Sequence, residues 1–424
     1  MKKRYVMLLL IAMFCSLSLV SASENVSTSD NLEVTTGGTL SENIDYVSNV
    51  GSVSHNVVAL ENSSGGGEYS KNVPTDNNEG DNQNSSSSNA TSNDTFVNEK
   101  PVVSKVITKD VSSTYGTIAK YSIKVLDQFG KPMGGKTVAV TIDKKTVKKV
   151  TSESGIVIFT LNCQAGKYLI KYAVDGINGS NSYNVKNKIS LSILNWGLKG
   201  DVSKSSLIKK NMPNNYWVKK AVSATKKGIP LLTFKGGKGK VVFLTAGVHG
   251  NELSSMVAAM KMISHLSDNP IKGTVYIMPF VNVKAISKKV RFTDKDYNRI
   301  ASKSGTIPNK IVKLVVKYKC NAYGDFHTTK PGGAPGKNIV MGSKSLKSKS
   351  ADLTNYISKY CKVNKKIYKY AGQVYPGALF ENVNKYGITS VICEVVLPHN
   401  TVTTKSINTS FNMMRYLLKY NSLI

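Results

Sequence analysis

Lys240-Val241-Val242-Phe243-Leu244-Thr245-Ala246-Gly247-Val248-His249-Gly250-Asn251-Glu252 is the stretch on which the fold turns. Its first seven residues are almost all apolar or β-branched. Such a run suits a strand covered on both faces of a parallel sheet. Gly247 then opens a polar loop. Apolar residues resume at Leu253, Met256, Val257, Met260 and Ile263, which is helical spacing. Strand, loop and helix in that order form the repeating unit of an α/β sheet.

The same rhythm extends downstream. Apolar runs at 273–280, 321–326 and 389–395 read as further strands, so an α/β domain is expected over 195–424. His249 and Glu252 lie three residues apart at the carboxyl end of the first strand, where α/β folds hold ligands. An imidazole and a carboxylate there suit Zn2+, which takes N and O ligands and in catalytic sites keeps one position for water. His327 closes the strand-like Ala322-Tyr323-Gly324-Asp325-Phe326-His327 and fits as the third ligand. By spacing alone the alternative stands that His249 and Glu252 are merely polar loop residues. Asp325, two residues before His327, shares its strand face and suits either an orienting or a structural role.

Upstream the text changes twice. Lys2, Lys3 and Arg4 precede an apolar run over 6–20 and the small-residue site Val20-Ser21-Ala22, the pattern of an export signal over 1–22. An extracellular or cell-surface location follows, with membrane attachment only through this segment if it stays uncleaved. Residues 23–100 are rich in Ser, Asn and Gly, with too few apolar residues for a core, and read as a flexible spacer. The spacer holds Asn-x-Ser/Thr triplets at Asn25, Asn62, Asn84, Asn89 and Asn93, and also His55, which is expected to be inert. From 101 to 190, alternating runs such as Thr137-Val138-Ala139-Val140-Thr141-Ile142 and Tyr168-Leu169-Ile170-Lys171-Tyr172-Ala173-Val174 are separated by Gly turns, which predicts a small all-β sandwich.

Length and composition bound the function. The 424 residues suggest two or three domains, and a hydrophobic share of 41% excludes a wholly disordered chain. Five Cys with no CxxC pair argue against a disulfide scaffold or a Cys-based zinc finger. The formal charge of +31 is uneven: residues 24–100 are net −10, while 101–424 carry a surplus of 38 positive charges. That surplus suits attraction to an anionic cell-wall polymer, although a Lys-rich solvated surface explains it as simply. Without a basic motif interleaved with aromatics, nucleic acid is not the expected partner.

Four blocks carry a resemblance. Ala246-Gly247-Val248-His249-Gly250-Asn251-Glu252 resembles the zinc signature of the succinylglutamate desuccinylase/aspartoacylase family, relatives of the zinc carboxypeptidases. Pro279, Asn282, Ala285, Arg291 and Asp296-Tyr297-Asn298-Arg299 resemble its second block. Asp325-Phe326-His327-Thr328 is similar to its Asp-x-His motif, and Ser390-Val391-Ile392-Cys393-Glu394 to the strand bearing its catalytic glutamate. The resemblance implies a zinc-carboxypeptidase-like domain with a mixed sheet covered by helices. It implies His249, Glu252 and His327 as zinc ligands, Glu394 as general base, Arg291 beside the developing oxyanion, and Asn298 and Arg299 on a substrate carboxylate. Tyr375 is a candidate to close over substrate, and His399 a candidate for the rim of the site. Cys393 is expected in the core, and His265 in solvent. Val395-Val396-Leu397-Pro398-His399 lacks the Gly that often follows the family's glutamate, and Tyr297 replaces a small aliphatic residue. The block Val125-Leu126-Asp127-Gln128-Phe129-Gly130-Lys131-Pro132 resembles bacterial Ig-like domains of microbial surface proteins, which implies a stalk.

Two readings therefore stand for this multidomain chain. One is a secreted or surface-associated zinc hydrolase that cleaves an amide next to a free carboxylate, on a small substrate or a wall peptide. The other is a surface adhesion protein whose hydrolase-like domain is silent. A complete set of ligands, base and arginine favours the enzyme.

Overall fold

The computed structural model describes residues 99–345 and 347–424. The expected export signal lies outside the described residues, as does the expected spacer apart from its last two residues. Among the described residues no helix is long and apolar enough to cross a membrane.

Eight strands come first: β1 (Val103–Ile107), β2 (Val111–Thr114), β3 (Ala119–Asp127), β4 (Thr137–Ile142), β5 (Lys145–Val150), β6 (Ile156–Leu161), β7 (Gly166–Val174) and β8 (Ile177–Lys186). They form a three-stranded sheet in the order β1-β3-β6 and a five-stranded sheet in the order β2-β8-β7-β4-β5. Alternation builds the core between them. In β3, Tyr121, Ile123 and Val125 are buried while Lys120 and Ser122 are exposed. With Val138, Val140, Phe159, Ile170 and Val185 they make one apolar cluster.

The second part holds β9 (Lys188–Leu194), α1 (Ser206–Lys210), α2 (Tyr216–Ala224), β10 (Ile229–Lys235), β11 (Val241–Ala246), α3 (Leu253–Asp268), β12 (Thr274–Met278) and α4 (Val283–Ser287). It continues with α5 (Ile307–Lys317), β13 (Ala322–Thr329), β14 (Ile339–Ser343), α6 (Ser350–Cys361), β15 (Asn364–Tyr368), α7 (Leu379–Asn384), β16 (Thr389–Val396) and α8 (Thr404–Tyr420). One eight-stranded sheet runs β15-β14-β16-β13-β11-β12-β10-β9. Its centre, β12-β11-β13-β16, is parallel, while β10, β9 and the β14–β16 pairing are antiparallel, so the sheet is mixed. All eight residues of β13 are buried, as a strand covered on both faces requires. Helices α3 and α6 each pack on α8 and all three pack against the sheet, while α5 packs on α7.

One boundary differs from the sequence reading. The α/β sheet begins at Lys188, not near 195, because β9 pairs along the whole of β10, from Ile229↔Leu194 to Lys235↔Lys188. Period-two alternation runs through both sheets without a break, so nothing in the pattern marks the change of sheet. A single residue, Asn187, separates β8 from β9. It is buried, and its side chain donates to the carbonyls of Leu266 (2.7 Å) and Asn269 (2.8 Å) and accepts from Ile271 N (3.0 Å). Ala165 N also donates to Gly236 O (2.7 Å), and Lys238 N to Gln164 Oε1 (2.8 Å). The buried side-chain amide of Asn187, satisfied across the junction, ties the two parts together.

Candidate metal centre

The carboxyl ends of the parallel strands bring the site together. β11 delivers the loop with His249 and Glu252, β13 carries His327 near its carboxyl end, and β16 carries Glu394 directly beside His327 in register. Gly250 lets the loop seat against the segment after α4. Its N–H donates to Arg291 O (2.9 Å), and a Cβ there would fall 2.3 Å from Ala285 C and 2.5 Å from Val290 O. No larger residue fits without moving that backbone.

His249, Glu252 and His327 are all buried. His249 Nδ1 stands 2.7 Å from Glu252 Oε1, and His327 Nδ1 is 2.8 Å from Glu252 Oε2 and 3.2 Å from His249 Nδ1. One ligand atom from each lies within 4.8 Å of the others. Ligand atoms on a tetrahedral zinc with bonds of about 2.0–2.1 Å sit about 3.3 Å apart, so the two nitrogens already have the right separation. The carboxylate oxygens need to retreat by only about half an ångström to match the same geometry.

The outer ring nitrogens support the same role. His249 Nε2 meets Asp296 Oδ1 at 2.8 Å. His327 Nε2 stands 3.1 Å from Asp325 Oδ2, an ion-pair distance whose direction is off-line for a hydrogen bond. A carboxylate at the outer nitrogen places the proton there and turns the Nδ1 lone pair inward. Two inward lone pairs 3.2 Å apart repel unless a proton or a cation lies between them.

Electrostatics point the same way. Burial opposes a charged His327, but Asp325 and Glu252 outweigh it and hold its pKa well above the ordinary value. Burial likewise opposes charge on His249, while Glu252 and Asp296 raise it. Glu252 is held well below the usual carboxylate range: burial works against this, and His249 and His327 overcome it. Asp296 is lowered against its own burial by the hydrogen bond to His249, with Asn298 N and Arg291 adding to it. The cage calls for positive charge at its centre, which a divalent ion could supply in place of the imidazole protons.

Glu394 is almost wholly buried, and its Oε2 has no hydrogen-bond partner among the described residues. Burial pushes its pKa up to about 8, with Glu252 adding to the rise and His327 and His249 pulling against it. Arg291 donates from Nη1 to Glu252 Oε1 (2.8 Å) and has Nη2 3.8 Å from Asp296 Oδ2. A cleft of about 330 Å³ is lined by Arg291, Glu394, Thr328, Lys330 and His399 together with Glu252. His399 bridges its wall, with Nε2 3.2 Å from Thr328 O and Nδ1 3.3 Å from Asn251 Nδ2.

Asn298, Arg299 and Tyr375 do not line that cleft. Asn298 is buried and its Oδ1 accepts from Leu379 N (3.2 Å) at the start of α7. Arg299 donates to Asn298 O (2.9 Å), and its guanidinium lies 5.1 Å from the centre of the Tyr375 ring. Gly377 allows this packing, since a Cβ on it would fall 1.8 Å from Arg299 O. Cys393 is buried, and His265, half-buried, stands edge-on to Phe411 with ring centres 5.7 Å apart.

Sequence reasoning missed Asp296 as the orienting carboxylate of His249. The signal was present as the acid of Asp296-Tyr297-Asn298-Arg299, but only the folded turn carries it back across 47 residues. An Asp296→Asn chain is expected to bind zinc about 10–100-fold more weakly, the range for losing such an outer partner, as measured by competition with a chromogenic chelator.

The family model of the succinylglutamate desuccinylase/aspartoacylase catalytic domain matches residues 238–306, a segment that holds His249, Glu252, Arg291 and Asp296. The N-alpha-acetyl-L-2,4-diaminobutyric acid deacetylase of Halomonas elongata is 34% identical over 68 residues, covering 16% of this chain and 20% of that protein. A succinylglutamate desuccinylase/aspartoacylase structure from Rhodobacter sphaeroides is 20% identical with a TM-score of 0.36, covering 46% of this chain and 60% of that one. The cell shape determinant protein Csd4 of Helicobacter pylori is 11% identical with a TM-score of 0.38, covering 56% and 55%. The chain thus spans a fifth of the curated relative's length and three fifths of the Rhodobacter structure's.

Proposed function

We propose that the chain is a zinc-dependent hydrolase that cleaves an amide bond in a small substrate bearing a free carboxylate. We propose further that it is exported and held at the cell surface, with the β-sandwich acting as an Ig-like module of that surface protein. The observation that carries the enzymatic reading is the meeting of His249 Nδ1, His327 Nδ1 and Glu252 beside a buried Glu394 whose Oε2 has no hydrogen-bond partner among the described residues. The matched family and the deacetylase relative support hydrolysis of an N-acyl bond over other zinc chemistry.

Held by His249, Glu252 and His327, a zinc ion would supply Lewis acidity for the scissile carbonyl and a lowered pKa for the attacking water. Glu394 Oε2 takes the proton of that water as its oxygen bonds to the carbonyl carbon. The same oxygen returns the proton to the amine nitrogen as the C–N bond breaks, leaving a carboxylate and a free amine. Arg291 holds Glu252 in place and presents fixed positive charge to the cleft where the carbonyl oxygen becomes negative. Within the cleft Lys330 is the cation free to meet a substrate carboxylate; it forms no ion pair among the described residues. The polar lining and modest size of the cleft favour an acyl-amino acid or a short peptide end.

Metal analysis combined with a substrate panel tests the proposal. One zinc per chain is expected, with turnover of acyl-amino acids or wall peptides that a chelator abolishes and added zinc restores. A chain that binds no zinc and hydrolyses none of the panel would fit the adhesion reading and end this one.

A further inference from the structure

A chain of buried hydroxyls stands behind His327 that the reaction above does not use. β11 and β13 run parallel with Thr245 directly opposite Asp325. Tyr323 precedes Asp325 by two residues and so shares its strand face. Tyr323, Thr245, Asp325 and His327 are each at most 1% exposed. The Tyr323 hydroxyl lies 2.6 Å from Thr245 Oγ1, and Thr245 Oγ1 donates to Asp325 Oδ1 at 2.8 Å. A threonine has one hydroxyl proton, and Thr245 directs it to Asp325. The hydrogen between the two hydroxyls therefore comes from Tyr323. Burial raises the Tyr323 pKa well above its ordinary value, and Asp325 adds to the rise, so the phenol stays a donor.

The order of donors has a consequence at the metal site. With Oδ1 held by Thr245, Asp325 is left with Oδ2 for His327 Nε2, 3.1 Å away. That contact is not aligned well enough to hold the carboxylate by itself, so the grip on the far oxygen sets where Oδ2 points. A carboxylate free to rotate about its own axis would stop selecting the Nε2–H form of the imidazole, and the Nδ1 lone pair would no longer be fixed toward Glu252 and His249.

We propose that Thr245 and Tyr323 are positioning residues for metal binding: through Asp325 they lock the proton of His327 on Nε2 and so preset its Nδ1 as a ligand. The inference rests on the zinc-site reading above, and its test reads metal affinity and ring tautomer, not turnover. In Thr245→Val, which keeps the shape and removes the hydroxyl, zinc affinity is expected to fall about tenfold, the lower end of the range for outer partners of a ligand. Thr245→Ser is expected to restore it to within about twofold, since the donor returns. Tyr323→Phe, which cuts the chain one step earlier, is expected to cost about threefold. Nitrogen-15 spectra of the zinc-loaded protein, in which the cation replaces the inner imidazole proton, are expected to show His327 ligated through Nδ1 with its proton on Nε2 in the parent and a mixture of forms in Thr245→Val. Thermal melts of the metal-free chains separate lost folding from lost affinity, and if Thr245→Val does not fold, Tyr323→Phe decides. Folded variants that bind zinc as tightly as the parent with an unchanged tautomer overturn the positioning role alone. A parent that binds no zinc overturns the metal reading, and this inference falls with it.

Discussion

Glu394→Gln is expected to keep one zinc per chain and to lose about 10³-fold in turnover, within the range that a positioned proton-transfer group contributes. Gln matches Glu in shape, so the buried pocket beside β13 is refilled without a cavity. What disappears is the ability of Oε2 to take a proton from water and return it to the amine. The three proposed ligands are untouched, because Glu394 makes no hydrogen bond to His249, Glu252 or His327. Stability supplies an independent readout. In the metal-free parent the folded-state pKa of Glu394 is raised from 4.5 to about 8 by burial. A raised carboxylate pKa means that folding is favoured below the unfolded value and that this advantage is lost as pH climbs through the folded one. Between about pH 4.5 and 6.5 the metal-free parent should therefore weaken with rising pH, and the Gln variant should lose that slope; above about pH 6.5 His249 and His327, whose pKa values are also raised, keep a downward slope in both chains. Unchanged turnover in a zinc-loaded Gln variant would refute Glu394 as the base.

The residues that proved legible in the sequence are those whose position is local. The run from Lys240 to Ala246, the glycine that follows and the helical spacing after it needed only period and turn chemistry. His327 was readable because it lies near the carboxyl end of its own strand. The parts that were not legible depend on register between distant segments. Thr245 looks like one more β-branched strand residue until β11 and β13 are aligned and it stands opposite Asp325. Asp296 resembles one acid in a polar turn until the turn folds back on His249. The surroundings of Asn298 and Arg299 likewise depend on distant segments: Asn298 Oδ1 accepts from Leu379 N at the start of α7, and Arg299 lies over Tyr375. A side chain's chemistry is written in the sequence, but which atom it spends on the fold is decided by its neighbours.

The second large effect concerns where the chain can be cut. A chain beginning at Asn187 is expected to fold and bind zinc, while one beginning at Trp196 is expected to aggregate, though the two differ by only nine residues. Those nine hold Asn187 and all of β9. Without β9, β10 becomes an edge strand with every residue from Ile229 to Phe234 drawn from the buried core. An apolar edge with unpaired amides is a template for pairing with another chain. Ile189, Leu191 and Leu194 also leave the core they pack against, at about 1 kcal/mol each for half-buried side chains. The three hydrogen bonds of Asn187 add about 1 kcal/mol apiece. The total of about 6 kcal/mol is comparable with the whole stability of an ordinary domain. The β-sandwich is thus removable only if the cut falls ahead of Asn187, because beyond it the chain already belongs to the sheet that holds the proposed metal ligands. Gel filtration and zinc content of the two truncated chains measure the effect, and equal solubility and equal metal binding would show that β9 is dispensable.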